Sequence, residues 1–296
     1  MELCEKMTKI ITKLSEISNQ YDALFVDLWG CVHDGYEPFP DAVDALIEYR
    51  KSGGLVILVT NAPRHSKSVK KQLEKIGVNK TSWDSIATSG DSARYGMFQG
   101  MIGSKVYFMG QKHDQSFFEP LSLEDKPMDI SQVSLEDAEG IVCCGPFDPT
   151  ASPDINREAF LYAKKKGLKL LCANPDIVVD RGSVREWCAG ALAAFYSELG
   201  GESIYFGKPH SPIYSLARKK LKDLKFFGED NRILCIGDGI NTDIQGALNQ
   251  KIDSLFISGG LASSETGTGD HPEEDLLRSF LNKENSSPTW TIGKLR

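Results

Sequence analysis

Four short segments carry the side chains that could do chemistry, and each follows an apolar, strand-like run. Asp27, in Asp27-Leu28-Trp29-Gly30, follows Tyr21-Asp22-Ala23-Leu24-Phe25-Val26 and offers a carboxylate at a strand's C-terminal end. Thr60-Asn61 closes Leu55-Val56-Ile57-Leu58-Val59 and offers a hydroxyl, an amide and backbone N–H groups. Lys208, in Phe206-Gly207-Lys208-Pro209, supplies a cation. Asp238 and Asp243, in Gly237-Asp238-Gly239-Ile240-Asn241-Thr242-Asp243, follow another apolar run and suit a hard cation. Phosphoryl transfer needs these groups, because an anionic nucleophile must meet a phosphoryl group whose own charge has been neutralised. Taken singly, each segment also reads as a turn, a surface loop or a helix cap. Their order, and their shared place at strand ends where open α/β sheets bind ligands, is the specific signal.

The elements that must position them alternate. Strand-like runs cover 23–27, 55–60, 106–109, 140–144, 168–172, 204–206, 233–236 and 254–257. Helical spacing of apolar residues covers 40–51, 66–76, 154–166, 184–199 and 212–221, with a short helix at 242–249. Such alternation predicts α/β architecture with parallel sheets. Near the N-terminus, Leu3, Met7, Ile10, Ile11, Leu14 and Ile17 predict an amphipathic helix. The polar, glycine-rich stretch 259–274 reads as a surface excursion before a last element at 290–292.

With 296 residues, the chain exceeds the usual single-domain size, and residues 90–184 hold enough elements for a module of their own. A net charge of −7 argues against a general nucleic-acid-binding surface. The apolar runs are too short to span a bilayer, and the N-terminus lacks the pattern of a signal peptide. Seven cysteines form no CxxC pair, and several sit in apolar runs, so a reducing cytoplasmic setting is expected. No strand is followed by G-x-G-x-x-G, which weighs against a dinucleotide-dependent oxidoreductase.

In order and setting, the four segments resemble the motifs of the haloacid dehalogenase (HAD) superfamily. Asp41-Ala42, Cys172-Ala173-Asn174-Pro175-Asp176 and Gly207-Lys208-Pro209-His210-Ser211-Pro212 are similar to its class IIA, the NagD-like and 4-nitrophenylphosphatase-like enzymes. The resemblance implies a Rossmann-like α/β core with a parallel sheet over 1–88 and 187–296, and an inserted α/β C2-type cap over 89–186. It implies an aspartyl-phosphate intermediate on Asp27, with Thr60, Asn61 and Lys208 binding the phosphoryl group. It further implies Mg²⁺ held by Asp27, Asp238 and Asp243, with the backbone carbonyl of Trp29 as another ligand. The implied partner is a small phosphorylated substrate, with neither nucleic acid nor membrane; a homo-oligomer is left open.

One residue departs from the pattern. The family's first motif is Asp-x-Asp-Gly, and its second aspartate protonates the leaving oxygen and then activates water. Trp29 can do neither. The expectation is a phosphohydrolase biased to good leaving groups, with a catalytically impaired phosphometabolite-binding or regulatory protein as the alternative. His33, Asp34 and His65 are nearby substitutes, with His33 and Asp34 the candidates for a replacement acid or base. A dehalogenase or phosphonatase is the remaining reading within the family. Candidates for specificity are scattered over residues 145–148, Asn174-Pro175-Asp176 and Arg181.

Overall fold

The computed structural model describes residues 8–121, 127–181 and 184–296; Cys4 and the predicted helix positions Leu3 and Met7 lie outside them, as does the Arg181 side chain. The described chain packs into two compact units. One comprises residues 1–60, 70–87 and 214–296, and the other 61–69 and 88–213.

The first unit opens with β1 (Lys9–Ile10), β2 (Ala23–Val26), α1 (Pro40–Lys51), β3 (Leu55–Thr60), α2 (Ser66–Ile76) and β4 (Ser85–Thr88). The N-terminal helix is not formed by the described residues. Lys9–Ile10 pairs with the last strand and 3₁₀ turns follow, although Ile11, Leu14 and Ile17 are buried as their spacing demanded.

The second unit contains α3 (Ser89–Phe98), β5 (Lys105–Met109), β6 (Ser131–Gln132), β7 (Gly140–Cys143), α4 (Arg157–Lys165), β8 (Lys169–Cys172), β9 (Val178–Arg181), β10 (Val184–Trp187), α5 (Ala189–Glu198) and β11 (Glu202–Tyr205). Its five-stranded sheet has the order β11-β8-β7-β5-β6. Alternate residues of β7 and β8 face two separate cores. Ile141, Cys143, Leu170 and Cys172 join Phe160 and Tyr196 on one face, while Val142, Cys144, Leu171 and Ala173 join Met97 and Phe206 on the other. The cysteines are core filler here; burial pushes the Cys143 thiol up to about 12.

Two expectations change in this unit. Residues 184–199 are not one helix: β10 pairs antiparallel with β9, and the extended Cys188 precedes α5. β11 also pairs with β8, so the second unit runs to Ile213 rather than to residue 186.

The chain completes the first unit with α6 (Ser211–Asp223), β12 (Ile233–Gly237), α7 (Gln245–Gln250), β13 (Asp253–Ile257), α8 (Glu274–Lys283) and β14 (Trp290–Ile292). The seven-stranded sheet has the order β1-β14-β13-β12-β2-β3-β4. β2 and β12 are buried throughout, as suits central parallel strands covered on both faces. β3 follows β2 on one side and β13 follows β12 on the other, making their boundary a topological switch point. The stretch 259–274 is more than a surface excursion. Thr266 is fully buried, its hydroxyl 2.7 Å from both the Ala262 carbonyl and Thr268 Oγ1.

Candidate active site

Strand register explains why two distant carboxylates meet. Val26 of β2 lies opposite Ile236 of β12, and the Asp27 N–H donates to the Ile236 carbonyl at 2.9 Å. Asp27 therefore leaves β2 beside Gly237, the last residue of β12, with Asp238 one residue later. Carboxylate oxygens of Asp27 and Asp238 and the Cys31 sulfur all lie within 4.8 Å of one another.

Glycines allow this convergence. Gly30 has φ +75°, and a Cβ there would stand 2.3 Å from Asp238 Oδ2. A Cβ on Gly260 would stand 2.2 Å from the same oxygen, which accepts the Leu261 N–H at 3.0 Å. Asp238 is thus held between two backbone segments that must lack side chains. Asp243 lies outside the group formed by Asp27, Cys31 and Asp238. Its Oδ2 accepts the Gly239 N–H at 3.1 Å, tying together the loop that leads through a π-type turn at Ile240–Ile244 into α7.

The segment after β2 is a tight knot. The Leu28 carbonyl accepts the N–H groups of Cys31, Val32 and His33 at 3.3, 2.9 and 3.2 Å, and the Gly30 N–H donates to the His33 carbonyl at 3.0 Å. Trp29 is 47% exposed and meets the His33 ring edge-on, with centroids 5.7 Å apart. Its indole lies over Gly35, where a Cβ would stand 2.4 Å away. The indole N–H does not ionise near neutral pH, so Trp29 carries no proton to give.

His33 is buried, and its Nδ1 accepts the Gly35 N–H at 2.9 Å. Burial lowers its pKa, against the pull of Asp34. Asp34 Oδ1 accepts the N–H groups of Glu37 and Tyr36 at 2.9 Å each, which hold its carboxyl below the usual range. Both side chains tie this loop together.

Thr60 ends β3 in the first unit, and Asn61 opens the segment that belongs to the second. Within the second unit Asn61 is buried against Lys208, which is 4% exposed. Asn61 Oδ1 accepts the Lys208 N–H at 2.7 Å, while Nδ2 donates to the Lys208 carbonyl at 3.2 Å and to Asp176 Oδ1 at 2.8 Å. Gly207 is required there, since a Cβ would stand 2.5 Å from Asn61 Oδ1. The Asn174-Pro175-Asp176 turn is fixed in its own right, Asn174 Oδ1 accepting the Asp176 N–H at 3.0 Å. Thr88 Oγ1 caps α3 by accepting the Asp91 N–H at 2.9 Å, and donates to the Arg64 carbonyl at 2.7 Å. That anchors the stretch just after Asn61.

The donor set fits a divalent cation. Mg²⁺ takes one or two carboxylates and fills its other positions with water and substrate oxygens. Asp27 and Asp238 can supply those carboxylates, and the glycines beside Asp238 keep that side free of Cβ atoms. Sequence reasoning had not picked out Cys31, because a cysteine four residues after an aspartate matches no metal-ligand spacing. The signal was its place in the turn beside Gly30.

The chain is similar to known proteins along most of its length. The family model described as haloacid dehalogenase-like hydrolase matches residues 24–124, and a HAD-hydrolase-like model matches residues 205–282. The crystal structure of a haloacid dehalogenase-like hydrolase from Brucella suis 1330 superposes with a TM-score of 0.81 at 34% identity, covering 97% of this chain and 100% of that one. A D-glycerol 3-phosphate phosphatase of Mycobacterium tuberculosis (strain ATCC 25618 / H37Rv) is 26% identical over 256 residues, 85% of this chain and 67% of that protein. The structure of a glycerol phosphate phosphatase from Mycobacterium tuberculosis in complex with magnesium has a TM-score of 0.68 at 24% identity, covering 95% of this chain and 77% of that one. The chain belongs to the haloacid dehalogenase-like hydrolase family, with solved neighbours in its 4-nitrophenylphosphatase class.

Proposed function

We propose that this protein is a Mg²⁺-dependent phosphomonoesterase that acts on a small phosphorylated metabolite through an aspartyl-phosphate on Asp27. The convergence of Asp27 and Asp238 at the ends of adjacent parallel strands carries the reading. Its likeness to a D-glycerol 3-phosphate phosphatase supports the substrate class.

In this reading an Asp27 oxygen attacks phosphorus, forming an acyl phosphate and expelling the alcohol or phenol oxygen with the bonding electrons. Asp238 and Asp27 would hold the cation, with Asp243 and the Trp29 carbonyl as the further ligands proposed. When bound, Mg²⁺ offsets negative charge on the phosphoryl oxygens and draws the nucleophile and substrate together. Thr60, Asn61 and Lys208 are assigned to the phosphoryl group, Lys208 as its cation. Water oxygen then attacks phosphorus, the Asp27 O–P bond breaks with its electrons returning to the carboxylate, and the proton passes to solvent as phosphate leaves.

Trp29 shapes what can react. A positioned acid–base group contributes about 10²–10⁴-fold, and this chain lacks one at that position. Leaving groups that depart as stable anions, such as aryl and acyl phosphates, lose little from its absence. Alkyl phosphates lose most.

A Mg²⁺-supplemented panel of aryl, acyl and alkyl phosphates tests this. Aryl phosphate should be hydrolysed far faster than alkyl phosphate, and Asp27→Asn should abolish turnover of both. Equal rates on the two ester types would sink the leaving-group argument. Binding of phosphorylated ligands with no turnover of any ester would favour the impaired, ligand-binding reading, which Trp29 also motivates.

A further inference from the structure

We propose that Cys31 is a third ligand at the Asp27–Asp238 site, one that takes borderline and soft divalent cations such as Zn²⁺ or Co²⁺ and leaves Mg²⁺ untouched. The inference rests on the two carboxylates forming a cation site.

The geometry comes first. The donor atoms of Asp27, Cys31 and Asp238 lie within 4.8 Å of one another. A tetrahedral Zn²⁺ with bonds of about 2.1 Å to oxygen and 2.3 Å to sulfur sets its ligands roughly 3.4–3.6 Å apart. The turn that delivers Cys31 is fixed, because the Leu28 carbonyl gathers three N–H groups and Gly30 takes φ +75° against Asp238. Cys31 is 1% exposed, so its sulfur faces this interior and is in no disulfide.

Ligand chemistry then sorts the cations. Mg²⁺ is hard, bonds oxygen, and keeps much of its water. Zn²⁺, Co²⁺ and Cd²⁺ accept thiolate sulfur together with carboxylate oxygen. With such a cation the Cys31 S–H bond gives way to a metal–sulfur bond, and the proton leaves to buffer. The same two carboxylates thus serve two classes of metal, and the presence of Cys31 lets thiophilic ions displace Mg²⁺. An oxygen-only site would discriminate far less between them.

Spectroscopy on the full-length chain tests this without an assay of turnover. The metal-free protein is titrated with Co²⁺, following the near-ultraviolet thiolate-to-cobalt charge-transfer band and the visible bands that report coordination. The expected result is a stoichiometric charge-transfer band in the unaltered protein that is lost in Cys31→Ser and Cys31→Ala. Zn²⁺ affinity, by calorimetry, should fall in both by more than the roughly 10–100-fold that loss of an outer-shell partner costs, with Mg²⁺ affinity unchanged. Co²⁺ binding with an all-oxygen spectrum in the unaltered protein overturns the role of Cys31 and leaves the carboxylate site standing. A band that persists in both variants overturns it too, assigning the sulfur to another cysteine. No Co²⁺ or Mg²⁺ binding at all overturns this inference and the cation-site reading together.

Discussion

The side-chain amide of Asn61 grips the backbone of Lys208 twice, accepting its N–H at 2.7 Å and donating to its carbonyl at 3.2 Å across 147 residues of sequence. The remaining donor of the same amide goes to Asp176. Asn61 thereby fixes where the Lys208 side chain starts. Asn61→Ala should leave a buried Lys208 N–H without its acceptor and cost about 1–3 kcal/mol. Asn61→Asp keeps the acceptor but sets a second carboxylate against Asp176. Both variants should lose turnover, with denaturant unfolding measured alongside. Unchanged stability in Asn61→Ala would remove the clasp from the account.

Gly30 and Gly53 separate strain from close approach. Both have positive φ, +75° and +97°, yet a Cβ on Gly53 meets nothing within 4 Å while one on Gly30 meets the Asp238 carboxylate. Gly53→Ala should cost only the backbone conformation, about 1–2 kcal/mol. Gly30→Ala should cost more and should also weaken Mg²⁺ binding. Thermal unfolding and Mg²⁺ calorimetry on the pair check this; equal effects with intact metal binding would contradict it.

His65 links stability to pH. Its Nδ1 accepts the Lys67 N–H at 3.1 Å at the start of α2, so protonation there breaks a cap and adds positive charge to a helix N-terminus. Burial lowers its pKa from the ordinary 6.5, against the opposing pull of Asp91. The unfolded chain therefore takes up the proton first as pH falls. The stabilisation is complete above pH 6.5 and is lost as pH drops towards the lower folded value. His65→Asn, which keeps an acceptor near Nδ1, should flatten the decline in that window relative to the unaltered protein. Identical slopes from pH 8 to 5 would show that His65 does not carry it.

Much of the core was legible because burial imposes simple patterns. The short apolar runs of β2, β3 and β12, bounded by turn residues, have the pattern of buried parallel strands, and the placing of the side chains at their ends follows from register. What stayed hidden depends on tertiary contact. α3 carries Gly90 and Gly96, which argue against a helix. Yet a Cβ on Gly90 would stand 2.5 Å from the Arg64 backbone, and one on Gly96 2.5 Å from the Phe206 ring. At residues 184–199 the apolar run of α5 masked the strand before it, whose partner β9 supplies the reason to be extended. Cys31 carries no such signal in the sequence, because only the folded turn brings it to Asp27, and Asp176, a specificity candidate from its sequence, accepts the Asn61 amide instead.

Trp29→Asp tests where the defect lies. If the nucleophile, cation site and Lys208 are sound, restoring a carboxylate should raise turnover of alkyl phosphates by roughly 10²–10⁴-fold and change aryl phosphate turnover much less. Steady-state kinetics on matched ester pairs reads the difference. No gain on alkyl esters would mean that the loop around His33 and Gly35 fails to present an acid at this position.

The most direct test of the central claim is to trap the intermediate. The protein is mixed with Mg²⁺ and an excess of aryl phosphate, quenched in acid during turnover, and the phosphorylated peptide is identified by mass spectrometry. An acid-stable, base-labile phosphoryl group is expected on the peptide containing Asp27, and none on that of Asp27→Asn. Turnover with Asp27 never phosphorylated, or undiminished turnover in Asp27→Asn, would contradict it.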